Sequence, residues 1–120
     1  MLGNYAKMVG QLEAVITPLG FVQRMDSPWS VTFDRSDGSS IVFEGDQASY
    51  PAFTLWLKPE GDDVGYALWL LIQILHTQLP EERRKPSFDN QLWFLQTREP
   101  DFWAQPEGWQ ARYAQQNVEF

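Results

Sequence analysis

The chain has no cysteine among its 120 residues. That excludes a disulfide framework, a thiol nucleophile and a thiolate metal site. It has one histidine, His76. No pair of histidines can share a metal, and His76 lies with Gln73 and Thr77 on a narrow polar stripe of an apolar segment, so a structural or surface role is expected. Long hydrophobic runs are also missing. The longest apolar stretch, "VGYALWLLI" from Val64 to Ile72, is far short of the roughly 20 residues that cross a bilayer. The start, "MLGNYAKMVGQLEAV", lacks the basic opening and unbroken apolar stretch of a signal peptide. A soluble, cytoplasmic protein that does not engage membranes is expected. No serine sits in a Gly-x-Ser-x-Gly elbow, and Gly38, Gly45, Gly61 and Gly65 are scattered among turns, not gathered into a phosphate-binding loop. An enzyme is not expected, nor is a cofactor or a metal.

What remains is apolar, aromatic and acidic. Hydrophobic residues make up 43% and aromatic residues 15%, with six tryptophans. A disordered chain does not have that composition. A single globular domain over residues 1–120 is expected, large enough to bury about two-thirds of its unfolded surface. The net charge is −7, and it is unevenly spread. Between Asp26 and Asp63 lie eight carboxylates, against Arg35 and Lys58. Such a surface repels phosphate backbones, so nucleic acid is not an expected partner. It attracts a basic protein surface.

Local patterns place these residues on elements. Leu2, Tyr5, Val9, Leu12, Ile16 and Leu19 step by three or four, which is the apolar stripe of an amphipathic helix. Pro18 and Gly20 close it. Phe21 and Val22 begin an extended segment. Trp29, Val31 and Phe33 alternate with polar residues, as do Ile41 and Phe43. The turn between these strands fixes which side chains share a face. A two-residue Asp37-Gly38 turn would pair Val31 with Glu44 and put an acid in the core. A three-residue turn, Ser36-Asp37-Gly38, pairs Phe33 with Ile41 and Val31 with Phe43. The three-residue form is therefore predicted. A third strand, Ala52 to Lys58, turns Phe53, Leu55 and Leu57 inward. Thr32, Val42, Glu44, Thr54, Trp56 and Lys58 fall on the other face.

Asp62 or Asp63 is expected to cap a buried helix from Gly65 to Leu79. Ser87 is expected to cap another, carrying Phe88, Leu92 and Leu95 and stopped by Pro100, and Pro106 suits the start of a last helix with Trp109 and Tyr113. Trp29 and Trp69 fit the core, whereas Trp93, Trp103 and Trp109 are unassigned. The predicted architecture is α+β: an N-terminal helix, an antiparallel meander of three to four strands, then two to four C-terminal helices packed on one sheet face.

Glu44 and Asp46 stand two apart, so both project to one side of their strand. With Lys58 they superficially suggest a hard-cation or nuclease cluster, but a basic path for a polyanionic substrate is missing. "DRSDGS" (Asp34–Ser39) lacks the downstream glutamate of a calcium loop. Trp56 is the large aromatic that parity sends to the polar face. Glu44, Asp46, Trp56, Asp62 and Asp63 are therefore the expected partner-binding residues.

The order of an N-terminal helix, "PLGF", "WSVTF…IVFEG", "FTLWL" and "YALWLLIQIL" resembles small acidic bacterial immunity proteins of polymorphic toxin systems. The resemblance runs from about Leu2 to Leu79. It implies a compact non-catalytic inhibitor, monomer or homodimer, whose partner is a cognate toxin or effector. The alternative is an accessory or regulatory domain acting through homodimerisation or another protein contact.

Overall fold

In the computed structural model, the residues described are 3–62, 64–98, 102 and 110–115, the side chain of residue 4 excepted. The fold is α+β, with an N-terminal helix, a five-stranded antiparallel sheet and C-terminal helices. The chain divides into two compact units, Met1–Ala67 and Leu68–Phe120. No helix among the described residues is long and apolar enough to cross a membrane.

The first unit opens with α1 (Gly3–Ile16), followed by a short 3-10 turn at Thr17–Leu19. Tyr5, Val9, Leu12 and Ile16 of the apolar stripe are all buried. Gly20 ends the helical stretch at φ 98°, donating its N–H to the Thr17 carbonyl at 3.0 Å. A residue with a Cβ is strained in that left-handed conformation, which is why glycine stands there.

The sheet runs in sequence order: β1 (Val22–Asp26), β2 (Ser30–Asp34), β3 (Ser40–Gly45), β4 (Phe53–Lys58) and β5 (Tyr66–Ala67). The β2–β3 register is the predicted one, with Phe33 opposite Ile41 and Val31 opposite Phe43. Arg35 closes the turn by donating its N–H to the Ser39 carbonyl at 2.9 Å, and Gly38 takes φ 88°. β4 continues the pattern, with Leu57 opposite Ile41 and Leu55 opposite Phe43. These six apolar residues line one wall at no more than 1% exposure each. Burying one large apolar side chain stabilises the fold by about 1.5–3 kcal/mol, so this wall is the main energetic reason for the register. Trp29 and Phe53, predicted to share it, are only half-buried. Phe53 sits at the strand end and Trp29 precedes its strand.

Five strands form where three to four were expected. β1 is the extended segment expected from Phe21 and Val22, and all five of its residues are exposed. It pairs with β2 through a bulge between Gln23 and Met25. β5 is two residues long and lies inside the apolar stretch read as helix from Gly65. Tyr66 pairs with Leu57 and Ala67 with Trp56. The helix cap assigned to Asp62 is a turn cap instead: its Oδ1 accepts the N–H groups of Val64 at 2.9 Å and Gly65 at 2.8 Å. That turn delivers the chain into β5, and the helix starts later.

Asp37 locks the hairpin tip. Its carboxylate accepts the Ser39 hydroxyl at 2.5 Å, the Ser39 N–H at 3.0 Å and Arg35 Nε at 3.1 Å. Slight desolvation disfavours the charged form. The bonds from Ser39 and Arg35 outweigh it and lower the pKa from 3.8 to about 2. A depressed folded-state pKa stabilises the native state above the unfolded pKa, and that contribution fades as pH falls from 3.8 towards 2. The side chain is 52% exposed, so screening holds the contribution to about 0.5–1 kcal/mol. Asp37→Asn is expected to cost that much at neutral pH and only a small part of it near pH 2. Urea unfolding at the two pH values checks it.

The second unit contains α2 (Leu68–Ile74), with Leu68, Leu70, Leu71, Ile72 and Ile74 buried. It is shorter than the helix predicted from Gly65 to Leu79, because His76–Gln78 tightens into a 3-10 turn. Trp69 is half-buried, not in the core. α3 (Phe88–Thr97) begins at Ser87, whose hydroxyl accepts the Asn90 N–H at 3.2 Å, as its sequence position predicts. Residues 110–115 are helical and Tyr113 is buried. The predicted positions Pro100, Pro106, Trp103 and Trp109 lie outside the described residues.

Asn90 is the polar centre of this unit. It is buried, and its amide donates to the carbonyls of Glu82 at 3.2 Å and Lys85 at 2.7 Å. Its Oδ1 accepts from Arg83 Nη1 at 3.2 Å, and the Arg83 guanidinium lies 5.2 Å from the Trp93 ring centre. Deleting a buried amide strands its partners, at a cost of about 1–3 kcal/mol. Asn90→Ala is therefore expected to destabilise the chain by about 2 kcal/mol, read as a lower denaturation midpoint.

Candidate functional site

The predicted binding residues do not form one patch. Glu44 stands near the end of β3, exposed, opposite Thr54 and Ser30. Asp46 follows the strand and is also exposed. These two are brought together. Trp56 lies in the middle of β4, half-buried, between Val42 on one side and Ala67 on the other. Asp62 lies beyond the far end of β4, half-buried and engaged in its turn. Asp63 lies outside the described residues. From Thr54 to Lys58 the strand covers about 13 Å at roughly 3.3 Å per residue, so Asp62 stands well away from Glu44.

The acid excess follows the same division. One end of the sheet holds Glu44 and Asp46. The other gathers Asp37, Glu60 and Asp62. The Glu60 Cγ is so near Gly38 that a Cβ there would meet it at 2.8 Å. That second end also carries basic side chains. Asp34 accepts from Arg24 Nε and from Ser40 Oγ, the latter at 2.7 Å. Lys58 stands opposite Ser40 in the same row. Parity sorts side chains between faces but does not say which end of a strand they occupy in relation to a distant loop.

The Glu44 end has the more developed surface. Asp46 organises the loop between β3 and β4. Its Oδ1 accepts the N–H of Ala48 at 2.7 Å and of Ser49 at 3.1 Å, and its own N–H donates to the Ala52 carbonyl at 2.9 Å. From below, the buried Tyr5 hydroxyl reaches the carbonyls of Asp46 at 2.7 Å and Ala52 at 2.8 Å. A helix residue thus pins both ends of the loop to the sheet core. The loop presents Tyr50, which is 55% exposed and meets Tyr5 edge-on with ring centres 5.1 Å apart. Beside it opens a small pocket of about 140 Å³ lined by Glu44, Gly45, Asp46, Ala52, Phe53 and Thr54.

Chemically, the pocket offers carboxylate oxygens, a threonine and an aromatic wall. That suits a cationic side chain delivered by a partner. Among the described residues no group of three or more His, Asp or Glu is placed to hold a metal ion. The sequence reading named Glu44 and Asp46 but missed Tyr50 and the pocket. Tyr50 falls in a loop without periodicity, and the pocket is lined by residues of two strands, from Glu44 to Asp46 and from Ala52 to Thr54, brought side by side. Comparison with known protein families, with curated proteins and with solved structures gives no match.

Proposed function

We propose that the chain is a non-catalytic binding protein of the immunity type, which neutralises a cognate bacterial toxin in the cytoplasm by occluding its active or substrate-binding surface. The observation that carries this reading is the pinned end of the sheet, where exposed Glu44 and Asp46 line a small pocket and the same loop exposes Tyr50. The loop is held from the core by Tyr5, so little ordering entropy is lost when a partner docks. Carboxylates at the rim would steer a basic surface into place, and an aromatic anchor would supply residence time. Trp56 extends the contact along the polar face, and Asp62 would engage only a partner broad enough to reach the far end; Asp63 is proposed as a contact from its sequence position alone.

The test begins with the product of the adjacent reading frame, used as the binding partner in titration calorimetry. Glu44→Lys is expected to weaken binding about 10- to 100-fold, a loss of about 1.4–2.8 kcal/mol. Added salt should weaken the wild-type complex in parallel. Asp46 is the poorer probe because its side chain also builds the loop. Binding untouched by both Glu44→Lys and Trp56→Ala would remove this surface from consideration. A concentration-dependent dimer in sedimentation that buries Trp56, with no partner bound, would favour the accessory-domain alternative.

A further inference from the structure

We draw no further inference here: the strongest candidate, the exposed apolar pair Val22 and Met25 on the outer strand β1, is an unpartnered sheet edge, and nothing in the structure shows what covers it.

Discussion

Gly45→Val is expected to destabilise the first unit by about 3 kcal/mol, enough to remove a large share of a stability of about 5–15 kcal/mol. A Cβ on Gly45 would lie 2.7 Å from Tyr5 Cε2 and 2.8 Å from its Cδ2 and Cζ. The obstacle is a ring that cannot step aside. Tyr5 is 1% exposed. It meets Phe43 edge-on at 5.8 Å and Tyr50 at 5.1 Å, and its hydroxyl holds two loop carbonyls. Overpacking of this kind costs about 1–3 kcal/mol. Displacing the ring also breaks the hydroxyl's contacts with the loop, at about 1 kcal/mol each. The backbone at Gly45 is not left-handed, so the penalty is one of space. Chemical denaturation measures it. Pairing Gly45→Ala with Tyr5→Leu should recover part of the loss through a non-additive cycle. A Gly45→Val variant within 1 kcal/mol of the parent would mean that the ring is not fixed as described.

Phe43→Ala is expected to cost about 3–5 kcal/mol. Phe43 is fully buried, opposite Val31 and Leu55, and its ring lies between two others. Tyr5 meets it edge-on, and Phe53 stacks on it at 5.7 Å with planes 3° apart. Truncation forfeits the burial of the ring, leaves a cavity and removes two aromatic contacts, each worth about 0.5–1.5 kcal/mol. Rigid neighbours on both sides prevent collapse into the space, which places the cost in the upper part of the range. Phe43→Leu should lose much less, since most of the volume is kept. Thermal and urea unfolding of the pair, measured together, separates volume from aromatic geometry. Trp56→Ala is the internal contrast: its side chain is half-buried on the opposite face, so the stability change should be clearly smaller than for Phe43→Ala.

The two positions bear on function as well as stability. Gly45 lines the pocket, and Phe43 supports Tyr5, which holds the Asp46 loop. Mild substitutions here should loosen the loop before they unfold the sheet. A partner-binding defect in Phe43→Leu without a change in rim charge would then report lost preorganisation.

The β2–β3 register and the inward face of β4 were legible in the residue pattern because alternation has a period of two. A one-residue slip would have buried Glu44, and the cost of an unpaired buried carboxylate excludes that. The closing glycine of α1 and the serine cap of α3 were legible for similar reasons, since each satisfies a local backbone demand within three or four residues. β1 was legible only as an extended segment from Phe21 and Val22, because an outer strand with five exposed residues has no apolar face to advertise. β5 and the late start of α2 were hidden in one apolar run, where strand and helix look alike and the Asp62 turn decides between them.

Charge shows the same boundary. That eight acids crowd into the stretch from Asp26 to Asp63 is a property of the chain read in order. That Glu44 and Asp46 stand at one end of the sheet, and Asp34, Asp37, Glu60 and Asp62 at the other with Arg24 on Asp34, required the strands to be laid side by side. Inward and outward residues follow from local alternation and the hydrophobic effect, which act over neighbours along the chain. The Tyr5–Gly45 contact and the pinned loop follow from groups about 40 residues apart meeting, and no local preference encodes that meeting.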